Sequence, residues 1–281
     1  MRIKGRRKRD GMKRGVYILP NLLTSASLFC GFYSVIKSLN GDYIAAAWAI
    51  LFAGIFDLLD GRIARLARAE SQFGIEYDSL VDLSSFGLAP GILIYTWTLH
   101  SLGKLGWLAA FLFFACGALR LARYNVQHDD VEQEYFQGLP IPVAAYVIAT
   151  YVVFHHFYFV FPPQNSLALA GMTVALALLM VSTIRYRSMK VVDIKSRNPF
   201  FVLVLVVIGI FIVAIKPEVM MFALTTAYLA SGLLEEAVTL RQSKRLLERL
   251  RSGTDADGDR RLEVVGGKDL ECDERAHGQG G

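Results

Sequence analysis

The sequence predicts an all-α, polytopic membrane protein with about eight transmembrane helices. Three observations carry that prediction. Of 281 residues, 54% are hydrophobic and the mean hydropathy is +0.39. The apolar residues gather into runs of about the length that a helix needs to cross hydrocarbon. The basic residues avoid every second connection between those runs.

The runs lie at 21–39, 43–66, 75–98, 104–122, 140–160, 165–184, 199–215 and 218–238. With the N-terminus in the cytoplasm, 27 of the 30 Lys and Arg residues fall on the cytoplasmic side, and only Lys37, Lys104 and Lys216 fall on or near the other. Positive charge retained on one side fixes an even number of spans with both ends cytoplasmic. The net charge of +5 therefore reflects topology, and no nucleic-acid partner is expected. The organisation read from this is a basic cytoplasmic segment at 1–17, a transmembrane catalytic domain at 18–240, and a cytoplasmic tail at 241–281. From about 252 the tail is polar and glycine-rich, too poor in apolar residues to fold alone. Cys30, Cys116 and Cys272 show neither a pairing pattern nor zinc spacing.

The spans are apolar except at one place. Asp57 and Asp60 close the second run, and Asp78 and Asp82 open the third. A carboxylate at mid-membrane depth costs about 3 kcal/mol on insertion scales, and such groups face an interior site. On a helix, Asp57, Asp60, Gly61, Ala64 and Arg65 share an arc of roughly 140°. Gly74, Asp78 and Asp82 recur every four residues and share another face. Two helices thus offer two carboxylates each to one cavity. Clustered negative charge of this kind needs protons or cations between the groups, and hard divalent ions such as Mg²⁺ or Mn²⁺ take oxygen ligands completed by substrate phosphate.

The full spacing, D-x2-D-G-x2-A-R-x8-G-x3-D-x3-D over residues 57–82, resembles without departure the signature of the CDP-alcohol phosphatidyltransferases. Pro20-Asn21-Leu22-Leu23-Thr24, Ala122-Arg123-Tyr124-Asn125 and Gly138-Leu139-Pro140-Ile141-Pro142 resemble the phosphatidylserine synthase branch, as do two helices beyond the usual six. The resemblance covers roughly residues 18–240, and the accessory segments are less specific than the aspartate signature. It implies transfer of a phosphatidyl group from CDP-diacylglycerol to L-serine, with release of CMP. It also implies Asp57, Asp60, Asp78 and Asp82 as ligands of two Mg²⁺ or Mn²⁺ ions, with Asp82 as the base for the acceptor hydroxyl. Membrane lipids and a second copy in a homodimer are the implied partners. A bacterial inner membrane, with the site facing the cytoplasm, is the expected location.

Other positions carry two readings each. Asn21 and Thr24 either cap the first transmembrane helix or contact the nucleotide. Gly61, Ala64 and Gly74 either let helices approach or clear space for the nucleotide. Arg65 pairs with an aspartate or a phosphate, whereas Arg62 and Arg68 snorkel to the interface. Ser71 either contacts the nucleotide phosphates or faces solvent. Arg120 and Arg123, one helical face three residues apart, either mark the cytoplasmic side or, with Asn125, hold the acceptor carboxylate. Pro90 is expected to kink the third span, and 185–197 to form a solvated loop.

Two rivals fail on residues. A covalent route through a His-x-Lys motif finds no such motif at His100, His128, His155, His156 or His277. An ion-coupled transporter, the other reading of intramembrane aspartates, does not require the glycines, Ala64 and Arg65 at these offsets. Within the family, glycerol 3-phosphate or an inositol phosphate is the alternative acceptor.

Overall fold

A computed structural model describes residues 4–67, 71–127, 135–159, 163, 166–182, 185–187, 216–232 and 234. The helices are α1 (Lys4–Leu39), α2 (Tyr43–Ala67), α3 (Gln72–Asp82), α4 (Ala89–Trp97), α5 (Lys104–Gln127), α6 (Ile141–Tyr158) and α7 (Ser166–Val181); α8 covers 217–232. Five stretches are long and apolar enough to cross a membrane: Leu19–Leu39, Tyr43–Leu66, Gln72–Trp97, Lys104–Val126 and Ile141–Tyr158. They match the first five predicted spans within a few residues. The predicted sixth appears as α7, only 16 residues long, and the eighth as α8. The predicted seventh span and the tail lie outside the described residues.

Three expectations need correction. First, α1 does not open at Asn21 but runs from Lys4 with Pro20 inside it. Asn21 and Thr24 therefore meet no free N–H groups to cap, because the helix already engages them. Instead, the Thr24 hydroxyl donates to the Pro20 carbonyl at 3.1 Å. Second, the third span is not one kinked α-helix. Between α3 and α4 the segment Leu83–Leu88 is a π-helix, whose wider turns deliver Pro90 to the first turn of α4, where its missing N–H costs least. Third, the loop expected from Arg185 begins as a strand. β2 (Arg185–Arg187) pairs antiparallel with β1 (Tyr135–Gln137), Phe136 opposite Tyr186, the one departure from an all-α fold among the described residues.

Local chemistry explains the hairpin of α1 and α2. Gly41 takes φ +79°, and its N–H reaches Ser38 O while the Asp42 N–H reaches Lys37 O. This is the paired-bond ending in which glycine is favoured. Asp42 then starts α2 by accepting the Ala45 N–H at 3.2 Å and pairs with Lys37 at 3.0 Å.

Small residues let the helices close together. Ala46, Ala47, Ile50 and Ala53 of α2 are buried with Phe86, Leu93 and Ile148 in the core. The Ser27 hydroxyl donates to Ala53 O at 3.0 Å, and the Ser85 hydroxyl donates to Ser27 O at 3.1 Å. A Cβ on Gly31 would lie 2.8 Å from the Ser85 backbone. The lipid solvent offers no hydrophobic gain for helix association, so such close packing and hydrogen bonding carry it. Carboxylates of α2 and α3 are thereby brought to one place.

Candidate active site

The acidic residues of α2 and α3 converge. Asp57, Asp60 and Asp78 each present a carboxylate oxygen, and these oxygens all lie within 4.8 Å of one another. The Asp82 carboxyl meets that of Asp57. Asp60 is only 4% exposed. Among the described residues, one oxygen each of Asp60, Asp78 and Asp82 is buried with no hydrogen-bond partner. None of the four aspartates pairs with a lysine or arginine among the described residues.

Buried carboxylates without partners are strongly disfavoured. A hard divalent cation removes that penalty, because it accepts several carboxylate oxygens at once and prefers them to nitrogen or sulfur. The donor set therefore fits a metal centre on its own chemistry.

The walls are set by α1, α3 and α5. Ser71 is half-buried and is the N-cap of α3, accepting the Gly74 N–H at 3.0 Å. A Cβ on Gly74 would press on that hydroxyl at 3.1 Å and approach Asn21 Oδ1 at 3.5 Å. Asn21 thus borders the α3 end of the site, and Thr24 faces Asp60. Gly61 is different. Among the described residues, a Cβ there would meet only Arg65 Nη2, at 3.8 Å, with half-buried Ala64 one turn on.

Among the described residues, Arg65 forms no pair with an aspartate. It is exposed, and its Nε donates to Gly61 O at 3.0 Å, one turn back on its own helix. Distance along α2 explains this, since a side chain that snorkels outward cannot also reach the buried carboxylates.

The three α5 residues separate. Arg120 is half-buried, its Nε has no partner among the described residues, and its charge faces Tyr124, Asp82 and Tyr228. Arg123 turns to the end of α7, donating to Val181 O at 3.1 Å, where a cation meets the negative end of a helix. Next to that bond, Gly138 at φ +78° lies against the Met180 and Ser182 carbonyls, and the Leu139 N–H bonds Leu179 O at 3.0 Å. Asn125 donates to Ser79 Oγ at 3.1 Å. Arg120 and Arg123, three residues apart on α5, thus meet different neighbours.

Tyr146 of α6 was not singled out from the sequence. A Cβ on Gly54 would fall on its hydroxyl, one turn before Asp57, and its ring meets Phe86 edge-on at 6.0 Å. The available signal was Gly54, a glycine three residues before the motif that the motif itself does not explain.

Fold and site together define a polytopic helical membrane protein built around an intramembrane acidic centre. Residues 17–233 match the family model described as CDP-alcohol phosphatidyltransferase, and the chain belongs to that family. It is similar to the CDP-diacylglycerol–serine O-phosphatidyltransferase of Helicobacter pylori, 35% identical over 219 residues, covering 78% of this chain and 91% of the relative. The Bacillus subtilis protein of the same name is 35% identical over 173 residues, 61% of this chain and 91% of the relative. The archaetidylserine synthase of Methanothermobacter thermautotrophicus is 38% identical over 170 residues, 60% of this chain and 69% of the relative.

Proposed function

We propose that this chain transfers the phosphatidyl group from CDP-diacylglycerol to the hydroxyl of L-serine, giving phosphatidylserine and CMP. The observation that carries the reading is the convergence of Asp57, Asp60 and Asp78 within 4.8 Å. It occurs in a chain 35% identical to an enzyme named for that reaction.

Asp57, Asp60, Asp78 and Asp82 would hold a pair of Mg²⁺ or Mn²⁺ ions. Divalent ions bound there supply charge neutralisation to the diphosphate and to the departing CMP. Gly61 and Ala64 leave room for the nucleotide along α2, Gly74 borders it from α3 by letting Ser71 and Asn21 sit close, and Asn21 and Thr24 border it from α1. Ser71 shapes the same wall by fixing the start of α3. Arg65, with its terminal amino groups still available, contacts phosphate. The serine Oγ attacks the phosphatidyl phosphorus while Asp82 accepts the hydroxyl proton. The new bond is Oγ–P, and the bond broken joins that phosphorus to the bridging oxygen, which leaves with CMP.

An aspartate is a weak base by its ordinary pKa, so Asp82 depends on placement against the acceptor. Arg120 is the α5 residue assigned to the serine carboxylate, since Arg123 and Asn125 are engaged elsewhere. The distribution of basic residues supports a site on the cytoplasmic side of a bacterial inner membrane. A homodimer within membrane lipid follows the family resemblance.

The test is CMP release by the purified protein in liposomes containing CDP-diacylglycerol, with L-serine and Mg²⁺ or Mn²⁺. Near-complete loss is expected for Asp82→Asn. Faster release with glycerol 3-phosphate or an inositol phosphate than with serine would overturn the acceptor assignment, and metal-independent release would overturn the mechanism.

A further inference from the structure

Asp78 sits between two residues that tie α3 to different neighbours. Tyr77, half-buried, meets Ser25 of α1, hydroxyl to hydroxyl at 3.0 Å. Ser25 already gives its hydrogen to Asn21 O at 2.8 Å, so the phenol donates and Ser25 accepts. On the other side of Asp78, the Ser79 hydroxyl gives its hydrogen to Ile75 O at 3.1 Å and accepts the Asn125 amide of α5 at 3.1 Å. Each link therefore runs through a serine that is tied to its own helix backbone, which fixes the acceptor in place. The Tyr77 ring is held as well, stacked on Phe73 one turn earlier at 5.9 Å and 10°.

Helical geometry gives the two links a joint consequence. At about 100° per residue, Tyr77 and Ser79 leave α3 on nearly opposite sides, and Asp78 projects between them. A carboxylate about 5 Å from the helix axis moves about 2 Å when the helix turns by about 20°. Metal–ligand distances tolerate only about 0.2 Å, so the rotation of α3 decides whether Asp78 can share an ion with α2. One link alone lets α3 swing around it, whereas two on opposing sides resist the swing. The helix needs that restraint, because it is 11 residues long and the π-helical turns at Leu83–Leu88 follow it directly.

We propose that Tyr77 and Asn125 are positioning residues: gripping α3 from α1 and α5, they set the rotation at which Asp78 meets Asp57 and Asp60. This rests on the reading of those acids as metal ligands. Loss of either link leaves the ligands themselves in place and weakens the metal by misaligning one of them.

The experiment titrates Mn²⁺ by calorimetry and records thermal midpoints, kcat and serine KM for Tyr77→Phe, Asn125→Ala and the double variant. Phenylalanine keeps the ring on Phe73 and removes only the hydroxyl. Mn²⁺ affinity is expected to fall about threefold or more in each single variant and at least about tenfold in the double, as for residues that orient metal ligands from behind. Turnover should fall in parallel, with serine KM within about twofold. Ser25→Ala should reproduce Tyr77→Phe, and Ser25→Thr, which keeps a hydroxyl, should retain wild-type affinity. Ser101→Ala, which loses a 2.9 Å bond to Ser166 beyond the far end of α4, is the control for stability alone. Wild-type Mn²⁺ affinity in the double variant overturns the proposal, whatever happens to the thermal midpoint. So does an equal loss of affinity in Ser101→Ala, or a rise in serine KM with affinity intact. Asp78→Asn separates the two levels. If it loses Mn²⁺ while the double variant keeps it, only the grip on α3 fails; if it binds Mn²⁺ as wild type does, the metal reading of the site fails too.

Discussion

The side-chain amide of Asn125 donates to the hydroxyl of Ser79 at 3.1 Å, fastening α5 to α3 one residue from Asp78. The same hydroxyl bonds Ile75 O at 3.1 Å, so the amide is tied to the α3 backbone through it. Asn125→Ala is expected to lower stability by about 1 kcal/mol, the usual net worth of such a bond. The thermal midpoint in detergent should fall while KM for serine stays within about twofold. A selective rise in serine KM would return Asn125 to the acceptor site.

Arg120 and Arg123 should behave as opposites. Arg120, whose Nε is unpartnered among the described residues, is expected on alanine substitution to raise the serine KM about tenfold or more, the effect of losing a charge-assisted bond. Lysine should rescue it poorly, because a single ammonium lacks the planar fork. Arg123→Ala removes a bond to Val181 O and should lower thermal stability with little change in serine KM. Steady-state kinetics and thermal melts on the same preparations decide this.

Ser71→Ala removes the acceptor of the Gly74 N–H. A lost N-cap costs about 1 kcal/mol, and Ser71→Thr should restore most of it. If Ser71→Ala instead keeps the wild-type melting point and weakens CDP-diacylglycerol binding, the serine serves the nucleotide directly.

Removal of metal is the simplest test of the acidic centre. Chelation should abolish CMP release, and Mg²⁺ or Mn²⁺ should restore it. Asp60→Asn and Asp78→Asn should each lower Mn²⁺ affinity and reduce turnover by about a hundredfold or more, since a metal site of this kind supplies several kcal/mol. Wild-type Mn²⁺ binding in both variants would dissociate these residues from any metal.

Far from the site, Asp42 offers a pH prediction. Its hydrogen bond from Lys37, followed by the Ala45 N–H, holds its carboxyl below the usual carboxylate range. A lowered folded-state pKa contributes stability above the unfolded value, near 4, and loses it as pH falls through the folded value. The difference in melting point between wild type and Asp42→Asn should therefore be full at neutral pH and shrink on acidification below about pH 4. The pair is exposed, so the effect is small and weakens with salt.

The aspartate signature was legible because its period is that of a helix: residues spaced by three and four had to share faces, and four carboxylates had to meet something. The first five spans were legible from length and hydropathy alone. What escaped were tertiary choices between equally plausible partners. Arg123 could serve an acceptor or a helix end, and only the position of α7 decides for Val181. The capping bond of Ser71 and the place of Asn21 inside a helix depend on where helices start: α3 begins immediately after Ser71, whereas α1 begins well before Asn21. Tyr146 lies 92 residues from Gly54 in sequence, and their contact depends on how α6 packs across α2. The π-helical turns had no sequence marker beyond Pro90, which reads as readily as a simple kink.

The π-helical stretch at Leu83–Leu88 acts as a phase adjuster. Were the α-helix to continue unbroken past Asp82, Phe86 would stand in line with Gly74, Asp78 and Asp82, and the same stripe would have to serve both polar chemistry and apolar packing. The looser winding lets the outer half of the span turn to suit its neighbours. Substitutions that rotate Ala89–Trp97 against α1 or α5 are thereby uncoupled from the acids below, so this half of the helix can be refitted without re-aiming the carboxylates.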